Sequence, residues 1–172
     1  LDAKATLSGS AAGMGSPDFR VQARLGQGQA GAGFAGWALA QAKAPPQLAL
    51  RTPLAFEVAR LDWGPGRRVE ASGRLRFDQE TTVAAELSWQ PGAFDLRRLD
   101  VQEAQGSSTL TLRVDGRQAA GRFNGSTQGA LLAYILKDAG RYSGRIRGDM
   151  RFAADLDRLR HARAEGQLSG EG

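Results

Sequence analysis

The sequence predicts a mainly β protein, an antiparallel meander of about ten amphipathic strands with one short helix. Apolar and polar residues alternate with a period of two through most of the chain, and turn residues recur about every ten residues. Because successive side chains of a strand point to opposite faces, each predicted strand has one apolar and one polar face. Strands of a doubly wound parallel sheet are buried on both faces and would not alternate in this way.

The clearest alternation lies on both sides of the predicted helix, in residues 107–115 and 145–156. Between them, residues 128–139 carry leucine and isoleucine at helical spacing, and a glycine follows at the position of the C-terminal cap. Ser126 or Thr127 can cap the start of this helix. This part of the chain therefore predicts strands, then a short helix, then further strands.

The amino-terminal part is less regular. Alternation predicts strands at residues 3–10 and 19–25, and a third short strand at 34–40. The glycine-rich stretch 26–33 lacks the lysine and hydroxyl residue of a phosphate-binding loop, and we interpret it as a loop or an irregular strand. Prolines in residues 41–53 predict a loop there and a weak break in the domain.

From residue 54 onwards the alternation is regular again. Phe56 and Val58 share the apolar parity of one strand, and a turn is predicted at residues 63–66. Further along, the apolar parity shifts by one residue at Arg97 and Arg98. Such a shift predicts a β-bulge, which lets a strand stay amphipathic while it bends.

If every strand of a meander has one apolar face, the fold must shield that face from water. Two sheets can close around a dry core, as in a sandwich or barrel, or one long curved sheet can form an open trough. From the residues alone, the closed sandwich or barrel is the favoured arrangement. The chain of 172 residues has the length of one domain, and we treat residues 1–172 as a single segment. Strand patterns at both ends lead us to expect a fragment of a longer protein.

The chain is basic, with a net charge of +5. Its arginines are spread among aspartate and glutamate, one or two per strand, and the basic pairs at 67–68 and 97–98 do not form a larger cluster. Nucleic acid, which normally binds a clustered basic surface, is therefore not a predicted partner. The absence of cysteine excludes disulfides, zinc–thiolate sites and thiol catalysis.

No group of residues predicts an active site, and we expect a protein without enzymatic activity, cofactor or metal. His161 is the single histidine and lies in a polar segment, which is typical of a solvated side chain. Asp155 and Asp157 are predicted to share one strand face, but that face points away from the apolar side of the sheet.

Residues 94–170 contain the runs FDLRRLDVQEAQGSSTLTLRVDG, GRFNGSTQGALLAYIL, GRIRGDMRFAADLD and ARAEGQLSG. In these runs the chain resembles the AsmA-like superfamily, in particular the YhdP-type proteins and more distantly TamB. The last run contains the small-residue motif G-x-L-x-G at residues 166–170. The predicted helix lies between strand pairs, as it does in this family.

The resemblance implies a periplasmic segment of a protein that is anchored in the inner membrane of a Gram-negative bacterium. It implies a curved trough (β-taco-like) whose apolar groove shelters phospholipid acyl chains for transport between the inner and outer membranes. Neighbouring segments of the same chain would continue the sheet, and outer-membrane components are further implied partners. The TamB resemblance also implies an alternative, an assembly module for outer-membrane proteins that acts through sheet-edge pairing.

On this interpretation, apolar side chains of the alternating strands line the trough. The predicted lining residues are Phe56, Val58, Leu75, Phe77, Leu87, Trp89, Leu110, Leu112, Val114, Phe123, Ile146, Met150 and Phe152. The same side chains would form the dry core of a closed sandwich, and the sequence alone does not separate the two.

Overall fold

A computed structural model describes residues 5–9, 21–31, 54–77, 79–129 and 144–171. Within these ranges, eleven strands form one antiparallel sheet. The strands are β1 (Ala5–Gly9), β2 (Val21–Leu25), β3 (Gly28–Ala30), β4 (Leu54–Gly64), β5 (Arg68–Arg76), β6 (Thr82–Gln90), β7 (Ala93–Glu103), β8 (Gly106–Asp115), β9 (Gln118–Gln128), β10 (Arg145–Asp155) and β11 (Arg163–Glu171).

The sheet is an open meander. Its order is β1-β2-β4-β5-β6-β7-β8-β9-β10-β11, and the short strand β3 pairs with β4 beside β2. Because β1 and β11 are the two ends of this order, the sheet does not close into a barrel. All the described strands belong to this one sheet, so they do not form a two-sheet sandwich. The prediction of a curved meander of about ten strands is confirmed, and the closed alternative is wrong.

The amino-terminal strands join the same sheet as the rest of the chain. β2 and β3 precede residues 32–53, and both pair with β4, which follows them. β3 lies in the glycine-rich stretch that we interpreted as a loop or an irregular strand. The predicted strand at 34–40 and the predicted weak break at 41–53 lie outside the described residues.

The register places the apolar residues of successive strands on the same side of the sheet, because directly opposite residues of an antiparallel pair share a face. One row of such pairs runs across nine strands, through Ala23, Leu61, Ala71, Leu87, Leu96, Leu112, Gly121, Phe152 and Ala164. The other side carries charged pairs such as Asp95 opposite Arg113. We call the side with this row the apolar face and the opposite side the charged face.

A β-bulge in β7 keeps the apolar face continuous. The register with β8 shifts between Leu96 and Leu99, which pair with Leu112 and Leu110. Both leucines of β7 therefore lie on the apolar face although two residues separate them. The bulge predicted at residues 97–98 is confirmed.

Two glycines of β9 lie where a side chain would collide with its neighbours. A Cβ atom on Gly121 would lie 2.4 Å from Phe152 Cζ and 2.4 Å from the carbonyl oxygen of Thr111. Gly125 has a φ of +117°, and its Cβ would lie 2.2 Å from the carbonyl oxygen of Ser107. Glycine inside a strand marks a bend or a close backbone approach, and here it lets β8, β9 and β10 come together.

The apolar face is covered unequally at its two ends. The turns at residues 65–67 and 91–92 mark one end, where Trp63 and Trp89 are 48% and 43% exposed. Val83, towards the other end of β6, is only 5% exposed. From β4 to β6 the apolar face is therefore more exposed at the end with the tryptophans, whereas in β11 Leu168, at the other end, is 54% exposed.

Most of the predicted short helix lies outside the described residues, but the structure corrects its start. Ser126 and Thr127, which we expected as caps, are inside β9 and pair with β10. Among the described residues, their hydroxyl groups have no hydrogen-bond partner. The N–H of Gly129 donates to the carbonyl oxygen of Gly144 at 2.7 Å. Gly129 and Gly144 therefore lie side by side where the pairing of β9 with β10 ends.

Candidate functional site

The register places eleven of the thirteen predicted lining residues on the apolar face. They are Phe56, Leu75, Leu87, Trp89, Leu110, Leu112, Val114, Phe123, Ile146, Met150 and Phe152. Phe77 follows the last residue of β5, and its N–H donates to the carbonyl oxygen of Thr81 in the turn before β6. It is therefore outside the paired ladder. Val58 is the other exception.

Val58 lies on the other side of the sheet, which corrects the prediction. The register between β4 and β5 shifts between Phe56 and Val58, and Val58 is paired with Arg74 of the charged face. Glu57 lies between Phe56 and Val58 in the chain, and its carboxylate lies 3.6 Å from the guanidinium of Arg74. A β-bulge here changes the parity of β4, because the extra residue has no partner in β5.

After this bulge, Ala59, Leu61 and Trp63 carry the apolar face of β4. The predicted lining omits these residues because we assigned the parity of Phe56 and Val58 to this strand and placed Trp63 in a turn at residues 63–66. The strand in fact continues to Gly64, and the turn begins after it. The strict alternation of these three residues with the charged residues between them is the signal that could have identified them.

The apolar face is partly open to solvent. No large side chain of the described residues is fully buried. Leu61, at 40%, and Leu168, at 54%, are exposed on this face together with the two tryptophans. Large apolar side chains in a closed core are normally buried, and an extended exposed apolar surface marks a place where something binds. The face is therefore the candidate functional site.

The charged face is organised by ion pairs between strands and along them. Arg122 of β9 makes two hydrogen bonds to Asp149 of β10, one of them 3.0 Å from Nε to Oδ1. Arg97, at the bulge of β7, lies 3.4 Å from Glu86 of β6 and 3.7 Å from Glu70 of β5. These side chains keep their charges in water, so this side of the sheet stays hydrated.

Two carboxyl groups of the charged face have lowered pKa values. The hydrogen bonds from Arg122 lower the pKa of Asp149. The hydrogen bond from Arg98 lowers the pKa of Asp100 and outweighs the opposing effect of burial, and the Thr109 hydroxyl, which donates to Asp100 at 2.8 Å, makes a further, smaller contribution in the same direction as Arg98. Both carboxylates are therefore structural acceptors that remain ionised at neutral pH.

The charged face also has hollows between its long side chains. Two of them, of about 950 and 780 Å³, lie over β8 to β11 and share Arg147 and Asp149 in their walls. The larger is lined by further charged groups, including Arg151 and Glu165. Such walls suit water and polar solutes rather than an apolar ligand.

The residues that we weighed for catalysis do not converge on these hollows. His161 is exposed in the short turn Leu159–His161, and its N–H donates to the carbonyl oxygen of Arg158. Asp155 ends β10, whereas Asp157 lies in the following turn and donates its N–H to the Asp155 carboxylate at 3.0 Å. The prediction that these two carboxylates share a strand face is wrong, because Asp155 ends the strand and its side chain holds the turn.

A comparison with protein-family models, curated proteins and solved structures finds no significant match. The resemblance to the AsmA-like superfamily stays a prediction. In the described ranges, no group of three or more histidine, aspartate or glutamate residues could hold a metal ion. Over the same ranges, no helix has the length and apolar character needed to span a bilayer.

Proposed function

We propose that this protein shelters phospholipid acyl chains on its apolar face, without enzymatic activity, during their transport between an inner and an outer membrane. One observation supports this most strongly. The apolar face runs through successive strands of a single open sheet, and its large side chains, such as Trp63 and Trp89, are partly exposed. A stable face of this kind needs an apolar partner.

The geometry of the face suits an acyl chain. Rows of directly paired residues run across the strands, and neighbouring strands are about 4.8 Å apart. A chain that lies along Leu87, Leu96 and Leu112 would contact apolar side chains from successive strands without meeting a polar group. Each methylene removed from water contributes about 0.8 kcal/mol, so a long acyl chain can bind without a specific pocket.

The opposite side of the sheet supports the same proposal. Ion pairs such as Arg122–Asp149 keep the charged face hydrated while the apolar face holds lipid. The periplasmic location, the inner-membrane anchor and the continuation of the sheet by neighbouring segments of the same chain belong to the proposal and rest on the resemblance. The absence of catalytic activity belongs to it as well.

The experiment that tests this proposal is native mass spectrometry of protein purified from bacterial cells without detergent. We expect adducts with the mass of phospholipids. Leu112→Glu should remove them, because it places a charge in the middle of the face. Thr111→Glu is the matched control, since it adds the same charge one residue away on the charged face, opposite Arg122.

Trp89→Glu provides a second variant in case Leu112→Glu does not fold, because Trp89 is 43% exposed and contributes less to packing. The proposal fails if a folded glutamate variant of the apolar face retains its phospholipid adducts. It also fails if the unmodified protein carries none and its thermal unfolding does not respond to added phospholipid.

A second candidate is an assembly module that pairs its edge with strands of outer-membrane proteins. The observation in its favour is that all nine residues of β11 are exposed and no described strand pairs with its outer side. This candidate predicts binding of client strand peptides that a proline in β11, for example Ala164→Pro, prevents and that Leu112→Glu leaves unchanged.

A further inference from the structure

β11 is the last strand of the sheet that the described residues form. It pairs with β10 through residues 163–171, and no described strand pairs with its other side. All of its residues are exposed, including Leu168 on the apolar face. An edge of this kind presents a row of backbone N–H and C=O groups that can pair with another strand. β11 has neither a proline nor a bulge that would prevent such pairing.

Two charged residues near the ends of β11 have no ion pair among the described residues. Arg163 is opposite Ala153 of β10. Glu171 is opposite Arg145, but the guanidinium of Arg145 donates to Gln105 instead, at 2.8 Å from Nη2 to Oε1. Arg163 and Glu171 have the same parity in the strand, so both belong to the charged face.

We infer that β11 pairs in antiparallel orientation with β11 of a second copy of this chain, about a two-fold axis at Gln167. Each Arg163 then lies directly opposite Glu171 of the other copy, which gives two ion pairs across the junction. Opposite charges in directly paired positions stabilise an antiparallel pair. The sequence of β11 is thus complementary to itself in charge.

Neighbouring registers that keep both apolar faces on one side lack this complementarity. A register centred on Glu165 places the two Glu165 carboxylates opposite each other. A register centred on Leu168 places Glu165 opposite Glu171 twice. Like charges in directly opposite positions are destabilising, and a register centred on Gly166 gains no ion pair. The register centred on Gln167 is therefore the favoured one.

The apolar side of the junction fits in the same register. Leu168 lies opposite Gly166 of the second copy, just as it lies opposite Gly148 within its own chain. This sheet already packs a large side chain over a glycine of the next strand, where the Phe152 ring lies against Gly121. Pairing would cover Leu168, which is 54% exposed in the single chain.

The pairing would join two apolar faces into one. Each copy contributes ten strand positions, so the joined sheet would have twenty and a width of about 90 Å at a strand spacing of about 4.8 Å. This inference rests on the edge of β11 and its charges. It is independent of lipid binding by the apolar face, but it excludes the proposed continuation of the sheet beyond β11 by a neighbouring segment of the same chain.

Sedimentation equilibrium of the purified chain over a range of concentrations tests the inference. We expect a monomer–dimer equilibrium that Arg163→Glu weakens on the order of tenfold or more, because each ion pair becomes a pair of like charges. Glu171→Arg should weaken it similarly. An equimolar mixture of the two variants should restore dimers, since each glutamate at 163 then faces an arginine at 171. Arg113→Glu, the same charge change on an exposed residue of β8, is the control.

A cysteine cross-link tests the register. The chain has no cysteine, so Gln167→Cys can form a disulfide only between two copies. In the proposed register the two introduced thiols are directly opposite, and Gln167→Cys should oxidise to a covalent dimer faster than Ser169→Cys, whose position faces Glu165.

Three results would overturn the inference. The chain could be monomeric at every concentration, the dimer could be insensitive to both charge reversals, or Ser169→Cys could cross-link as fast as Gln167→Cys. A monomeric chain that binds an added strand peptide through β11 would instead identify a foreign strand as the occupant of this edge.

Discussion

Arg122 of β9 donates two hydrogen bonds to Asp149 of β10, with Nε to Oδ1 at 3.0 Å. The pair is diagonal, because the register places Arg122 directly opposite Arg151 and Asp149 opposite Asn124. Two arginines in directly opposite positions repel each other, and the diagonal carboxylate compensates for that repulsion. The charged face therefore depends on particular carboxylates being ionised.

The first prediction concerns acid. Hydrogen bonds from arginine lower the pKa values of Asp149 and Asp100 in the folded protein. Since the folded pKa lies below the unfolded value of about 3.9, the stabilisation is complete above that pH and is lost as the pH falls through the folded pKa. We expect the melting temperature to be independent of these two groups above about pH 5 and to decrease modestly through them below about pH 4, because exposed ion pairs contribute little.

The matched variants are Asp149→Asn and Asp100→Asn, measured by circular dichroism melts across this pH range. Each should lower the melting temperature at neutral pH and flatten the decline in acid. Asp115→Asn, at the exposed end of β8, is the control. If Asp149→Asn and Asp100→Asn both retain the full acid dependence, the ion pairs do not carry it.

The second prediction concerns the bulge of β7. Deletion of Arg97 removes the extra residue, and Leu96 and Leu99 then alternate regularly about Arg98. Because the apolar face is preserved, we expect a folded protein that loses only exposed ion pairs, at a cost of about 0.2–1 kcal/mol each. Deletion of Thr111 in β8 should unfold the protein, because it moves either Leu110 or Leu112 to the wrong face.

Urea unfolding of the two deletion variants, followed by tryptophan fluorescence, distinguishes these outcomes. Equal loss of stability in both would mean that the bulge itself, rather than the parity of the leucines, is what β7 requires.

The third prediction tests which residues of β4 belong to the apolar face: Val58, as the sequence predicts, or Leu61, as the register indicates. By register, Val58 is on the charged face and Leu61 on the apolar face. Leu61→Glu should therefore remove bound phospholipid, whereas Val58→Glu, placed opposite Arg74, should leave it bound. Native mass spectrometry of the two variants gives the answer. The assignment would be reversed if Val58→Glu removed the lipid and Leu61→Glu did not.

The bulges of β4 and β7 also show what alternation could predict. In β7, Arg97 and Arg98 are adjacent charged residues, so the shift in parity is visible in the sequence. In β4, Ala59 fits either face, so the shift at Glu57 shows only further along the strand, where Leu61 and Trp63 alternate with charged residues. The position of a bulge can be predicted only where its direct neighbours differ strongly in polarity.

Closure of the sheet could not be predicted from alternation. The pattern of Leu110, Leu112 and Val114 is the same for a groove and for a dry core, since it depends only on which face is apolar. Whether the sheet closes depends on whether β1 meets β11, and residues far apart in sequence decide that. The extent of β9 was missed for a similar reason, because the cap residues Ser126 and Thr127 pair with β10 instead.

The fourth prediction tests the contact between Gly121 and Phe152. A Cβ on Gly121 would lie 2.4 Å from Phe152 Cζ and equally close to the backbone oxygen of Thr111. The ring could move, but the backbone of β8 cannot do so without breaking its pairing. Gly121→Ala should therefore lower the free energy of unfolding by about 1–3 kcal/mol. Gly64→Ala is the matched control, because no atom lies within 4 Å of its Cβ position.

Phe152→Ala separates the two collisions. In that background the ring is gone, so any remaining penalty of Gly121→Ala measures the contact with Thr111. A double-mutant cycle from urea unfolding should give a coupling between the two sites, with the penalty of Gly121→Ala smaller beside Ala at 152. If the penalties simply add, the backbone of β8 alone excludes a side chain at 121. The ring of Phe152 would then be free to move with whatever the apolar face binds.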